Sequence, residues 1–239
     1  LEKKNCLITG ATGGLGKQIA IELAKKNCNL FLTGRQNKKL EKLNEELKKV
    51  NKNNLIKHKH CNLQETQELN NLIQKIRDEF NSIDILVNCA GIFPVSSVSE
   101  STLEQYDSCM NLNVRIPFVL SKEFSKDMIN NGWGRIVNIA SSGAYNGLKN
   151  TAIYRSSKHA LLGLSRSLHN ELKEFNVRTF CISPGPIKTD IGKDIIKKEN
   201  PNENYETFMN PNEIAEFVTF AISFDNNLIS PEIRLGRIK

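Results

Sequence analysis

Short apolar runs and amphipathic stretches alternate along the chain. Asn5–Thr9, Leu30–Thr33, Leu55–His60, Ile83–Val87, Arg135–Ile139 and Val177–Ile182 are brief and mostly apolar, the pattern of buried strands. Between them run Lys17–Ala24, Lys38–Val50, Glu65–Phe80, Leu103–Asn130 and Tyr154–Phe175, where apolar residues recur at helical spacing. A break or bend is expected near Pro117, because proline removes a helical N–H. Strict alternation of the two element types predicts an α/β domain. Its core is a doubly wound parallel sheet of about seven strands with helices on both faces, in one domain spanning 1–239. Residues 190–211 break the pattern: they are polar and lysine-rich, with Pro201 and several asparagines, and read as a long surface loop.

Composition narrows the function. The chain carries 33 basic and 26 acidic residues, a net charge of +7. The lysines are spread over solvent faces, as in Lys38-Lys39-Leu40-Glu41-Lys42-Leu43, and no basic block is interleaved with aromatics, so nucleic acid is not expected as a partner. No apolar run is long enough to predict a membrane span, and Leu1–Asn5 leads straight into a strand rather than reading as a signal peptide. Six scattered cysteines without a C-x-x-C spacing fit free thiols and a cytoplasmic location. His58, His60 and Cys61 are set aside as a metal site, because strand alternation puts the cysteine on the opposite face.

The first strand runs directly into Gly10-Ala11-Thr12-Gly13-Gly14-Leu15-Gly16 and then a helix. Strand, glycine turn and helix N-terminus make an anion site suited to a dinucleotide pyrophosphate. Further along, Tyr154 and Lys158 stand one helical turn apart, and Ser141 lies thirteen residues before the tyrosine. An ammonium on the same helix face should favour the phenolate and lower the tyrosine's pKa. Ser141 can then hold a carbonyl oxygen while Tyr154 gives or takes its proton.

Taken with Asn88-Cys89-Ala90-Gly91 and Pro184-Gly185, these motifs resemble the short-chain dehydrogenase/reductase family, from about Lys4 to about Leu235, and within it the 3-oxoacyl-(acyl-carrier-protein) reductase type. The resemblance implies a Rossmann-like fold and Asn113, Ser141, Tyr154 and Lys158 as catalytic residues. The near misses are Asn111 and Ser142: the distance to Phe118-x-x-Ser121-Lys122 favours Asn113, and the spacing to Tyr154 favours Ser141. It also implies cofactor contacts from Gly10, Thr12, Gly13, Gly14, Leu15 and Gly16. Further contacts come from Asn62 and Leu63, from Asn88, Ala90 and Gly91, from Tyr154 and Lys158, and from Pro184, Gly185, Ile187 and Thr189. A lid is implied at 190–211, and a homodimer or homotetramer through the long helices.

Charge points to NADP(H). Gly34 stands where an acidic residue would clasp the ribose of NAD, and Arg35 follows it, with Lys17 as a second cation for a 2′-phosphate. Asn62 replaces the family's usual aspartate at the adenine. The expected activity is NADPH-dependent reduction of a small-molecule carbonyl, with a 3-oxoacyl thioester as the first substrate class. A sugar or another small alcohol or ketone is the alternative. A non-catalytic NADP-binding regulatory protein is the third reading. The carrier-docking arginines of the 3-oxoacyl type are missing from Asn130–Trp133 and Leu172–Phe175, and Ile233–Arg237 replaces its usual Asp-Gly-Gly ending.

Overall fold

Strands buried on both faces need apolar side chains on both, and this sheet has them. In β1 (Asn5–Thr9), Cys6 and Ile8 enter one core while Leu7 enters the other. The computed structural model describes residues 1–199 and 204–237. β1 is followed by α1 (Gly14–Lys25), β2 (Asn29–Gly34), α2 (Asn37–Val50), β3 (Ile56–His60), α3 (Thr66–Phe80) and β4 (Ile85–Asn88). Then come α4 (Leu103–Met110), α5 (Ile116–Asn130), β5 (Gly134–Ile139), α6 (Ala152–Leu172) and β6 (Val177–Pro184). α7 (Asp190–Glu199), α8 (Pro211–Ser223) and β7 (Glu232–Leu235) complete the order. All seven strands are parallel, in the order β3-β2-β1-β4-β5-β6-β7.

One face is covered by Ile19 and Leu23 of α1, Leu40 and Leu47 of α2, and Ile214, Val218 and Ile222 of α8. The other takes Leu72 and Ile76 of α3, Leu120 and Phe124 of α5, and Leu172 of α6. The expected doubly wound sheet is therefore present, and no helix of the described residues is long and apolar enough to cross a membrane.

Three expectations need correction. The long helix is interrupted near Pro117 as expected, but the device is a single π turn at Asn111–Arg115, which separates α4 from α5, and not the proline itself. Pro117 instead lies in the first turn of α5, where a missing N–H matters least. The polar stretch 190–211 is not simply a loop, because its first part is α7, whose start is held by the Gly192 N–H donating to Thr189 Oγ1 at 3.2 Å. Residues 200–203 of that stretch lie outside the described residues. Finally, α8 is an element the periodicity reading did not name. Asn210 caps it through the Asn212 N–H, Pro211 sits at its first turn, and Ile214, Ala215, Val218 and Ile222 form its buried stripe. An Asn-Pro start followed by that spacing is a readable helix signal.

Candidate active site

Strand order reverses between β1 and β4, so the loops after these strands part and leave a crevice at the C-terminal edge of the sheet. Gly10 turns the chain there with φ of +64°, and a Cβ on it would come within 2.8 Å of the Ala90 backbone. Only glycine allows that approach. Thr9 Oγ1 accepts the N–H groups of Cys89 and Ala90 at 3.1 and 3.2 Å and so ties the two loops together. Gly13 caps α1 without any side-chain hydrogen bond, leaving the first N–H groups of the helix facing the crevice.

The crevice is a cavity of roughly 710 Å³. Gly10, Thr12, Gly13, Gly14, Leu15 and Gly16 form its middle, with Ala90 and Gly91 opposite. Gly34, Arg35, Asn62 and Leu63 close one end, and Tyr154 and Lys158 stand at the other. Pro184, Gly185, Ile187 and Thr189 form a wall. That wall presses close to the glycine turn, since a Cβ on Gly14 would sit 2.6 Å from Thr189 Cγ2.

Two residues expected at the cofactor are elsewhere. Asn88 lies beneath the lining, 4% exposed, and its Nδ2 donates to Asn138 Oδ1 at 2.8 Å, which pins β4 to β5. Lys17 forms an ion pair with Glu46 of α2 at 2.7 Å and does not line the cavity. Lys39, which the sequence reading passed over, does line it beside Arg35. Its position carried a signal: it is the third residue of α2, and side chains in a helix lean back over the preceding turn.

At the far end, α6 presents Tyr154 in its first turn and Lys158 one turn later. Lys158 is 6% exposed; its Nζ donates to the Ile139 carbonyl at 2.8 Å and stands 5.7 Å from the centre of the Tyr154 ring. Burial pushes its pKa down to about 8. Tyr154 moves the other way from the expectation that Lys158 would lower it. Loss of water around the phenol pushes it up to about 12, opposed by a hydrogen bond with Ser141. The ammonium is committed to the Ile139 carbonyl, so in this arrangement the phenol is the protonated partner, an acid. Ser141 follows β5, where its Oγ accepts the Gly143 N–H at 3.0 Å and caps a short 3₁₀ turn. Ser142, the near miss, is exposed in that turn.

Asn113 sits inside the π turn, which directs it into the protein. Its Oδ1 accepts the Ile92 N–H at 3.0 Å, and its Nδ2 donates to the Ile92 carbonyl and to Ser157 Oγ, each at 3.0 Å. Asn111 accepts only from Arg115 on the outside of the turn, at 3.5 Å. Asn113 thus stands just behind the lining, Ser141 is half-buried beside the Tyr154 phenol, and Phe93 packs on Tyr154 with ring centres 4.0 Å apart.

The short chain dehydrogenase family pattern matches residues 4–200. The chain belongs to this family. A 3-oxoacyl-(acyl-carrier-protein) reductase of Rickettsia bellii is 33% identical over 237 residues, covering 96% of this chain and 93% of the relative. Among solved structures, levodione reductase superposes with a TM-score of 0.90 at 25% identity, over 98% of this chain and 96% of that one. The L-sorbose reductase of Gluconobacter frateurii, complexed with NADPH and L-sorbose, gives 0.88 at 25% identity, over 98% and 95%.

In this short-chain dehydrogenase, Cys89 is the departure nearest the site. Its backbone makes the Thr9 contact, while burial raises its thiol to about 12 and keeps it neutral beside Lys158. The 3-oxoacyl-type ending is altered, yet Glu232–Leu235 still adds the seventh strand beside β6.

Proposed function

We propose that this short-chain dehydrogenase is an NADPH-dependent reductase that converts a small-molecule carbonyl to an alcohol. The observation that carries this reading is the phenol of Tyr154, held protonated beside Ser141 at one end of a cavity whose other end bears Arg35 and Lys39. The residues fit an NADP(H) dinucleotide. A cradle without side chains at Gly10, Gly13, Gly14 and Gly16 admits a pyrophosphate against the start of α1, and the two cations suit a 2′-phosphate where no carboxylate clasps the ribose. Asn62 and Leu63 would flank the adenine, and Pro184, Gly185, Ile187 and Thr189 the nicotinamide. The bound cofactor supplies the hydride.

The chain's own residues handle the proton and the geometry. Ser141 Oγ donates to the substrate oxygen and orients the carbonyl. Tyr154 Oη transfers its proton to that same oxygen as negative charge develops there, worth about 10²–10⁴-fold in rate. Lys158, anchored on the Ile139 carbonyl, would hold the ribose hydroxyls of the cofactor. Asn113 acts through its neighbours: by gripping both backbone groups of Ile92 it fixes the loop over Lys158.

The similarity to the Rickettsia reductase supports a 3-oxoacyl thioester as substrate, and that to the L-sorbose reductase supports a keto-sugar. Both reactions use the same proton device. We also propose a homodimer through α4–α5 and α6, consistent with Leu103, Tyr106 and Phe118 lying exposed along α4–α5. The Tyr154→Phe variant tests the activity. Turnover should fall by at least about 100-fold, as expected for loss of a general acid, while NADPH binding followed by fluorescence stays within twofold (about 0.4 kcal/mol). Retention of more than about a tenth of the wild-type rate would remove Tyr154 as the acid.

A further inference from the structure

We infer that the substrate is an uncharged ketone with an apolar body, an inference that rests on the reductase reading above. Among the cavity's lining are the large apolar side chains Ile92, Phe93, Leu148, Ile191 and Phe208, with Phe93 packed on Tyr154 at 4.0 Å between ring centres. Phe208 is buried against Tyr205, while Leu148 and Ile191 line the cavity and are 57% and 50% exposed. Large apolar side chains facing water around a concave site gain most when an apolar ligand covers them.

The charged groups of the lining disfavour an anionic substrate. Arg155 borders the cavity, but its Nε donates to Thr151 Oγ1 at 2.8 Å and its Nη1 to the Asn146 carbonyl at 3.1 Å. It braces the loop that carries Leu148. Lys158 is bonded to the Ile139 carbonyl. The charges that α7 brings to the cavity, among the described residues, are the carboxylates Asp190 and Asp194. A keto acid would therefore bring its charge to two carboxylates, with the Arg155 guanidinium and the Lys158 ammonium already engaged by oxygens of the protein. A keto-sugar would lay several hydroxyls on apolar walls, each unpaired one lowering affinity roughly tenfold.

The test compares four carbonyls by NADPH oxidation: ethyl 3-oxobutanoate, ethyl 3-oxohexanoate, the 3-oxobutanoate anion and L-sorbose. The ethyl esters should exceed the anion in kcat/KM by more than about tenfold, the cost of an unmatched charge. Lengthening the chain should raise kcat/KM about fourfold per buried methylene. Leu148→Ser, at a position too exposed to threaten folding, should remove much of that chain-length gain and leave NADPH binding unchanged. Equal or faster reduction of the anion or of L-sorbose overturns the inference while leaving the reductase reading intact. So does a rate independent of chain length. If NADPH binds and none of the four is reduced, the reductase reading fails and this inference with it.

Discussion

Replacing Asn113 by alanine tests whether the π turn exists to place one amide. The substitution deletes four hydrogen bonds: two to the Ile92 backbone and one to Ser157 Oγ, each at 3.0 Å, and one to Cys109 Sγ at 3.3 Å. Ile92 keeps its N–H and carbonyl but loses both partners, and each partly buried orphan costs about 1–3 kcal/mol. Water entering from the cavity can restore some of this, so a net loss of about 2–4 kcal/mol is expected. The same loop lies on the site: a Cβ at Gly91 would sit 3.1 Å from Asn113 Oδ1 and 3.9 Å from Lys158 Nζ. Loosening the loop should therefore also weaken NADPH binding. Urea denaturation, with the midpoint compared at an unchanged slope, reads the stability, and NADPH fluorescence reads the site. Asn111→Ala is the control; its side chain accepts only from Arg115 at 3.5 Å on the outside of the turn, so its effect should stay below about 0.5 kcal/mol. An Asn113→Ala protein within about 0.5 kcal/mol of wild type would refute the reasoning. Equal destabilisation by the two alanines would do so as well, because it would make the turn itself, and not this amide, the sensitive element.

Lys39→Gln should weaken NADPH binding about tenfold in a fluorescence titration and leave NADH unchanged, the loss expected of one charge-assisted contact. Lys17→Gln should alter neither, since Lys17 pairs with Glu46, and the reverse pattern would restore Lys17 as the phosphate partner. For Lys158, a folded pKa of about 8 against an ordinary 10.5 means that between these values the unfolded chain binds a proton the folded one does not. Stability from this group accordingly rises with pH across that window. The stability of Lys158→Met relative to wild type should fall by up to about 3 kcal/mol from pH 8 to 10.5, and a pH-independent difference would contradict the buried-ammonium account. Light scattering should give at least a dimer; a 27.0 kDa particle at micromolar concentration would rule out the assembly through α4–α5 and α6.

Much of the fold is written locally. The apolar runs of β1, β2 and β4–β6 and the amphipathic stripes of α1 to α3 each bury a face that must be covered, so alternation alone dictates a doubly wound parallel sheet. The glycine turn is legible for the same reason: Gly10 needs its positive φ, and a helix start needs an anion or water at its free N–H groups. Tyr154 and Lys158 are legible because one helical turn fixes their separation whatever surrounds them. What the sequence could not settle depends on groups distant in the chain. The sequence offers Lys17 as the second cation, and only the packing of α1 against α2, which gives Lys17 to Glu46, leaves that place to Lys39 in the cavity lining. Asn88 sits in a motif that points to the crevice, yet its side chain falls on the inner side of β4 and bonds Asn138. The direction of the tyrosine's pKa was decided by the tertiary structure too. Spacing sets how near a lysine can come, but burial, and a carbonyl fifteen residues upstream of Tyr154 that engages the ammonium, determine which form of the phenol is favoured. Desolvation and hydrogen-bond competition are properties of the assembled interior, and no local pattern encodes them.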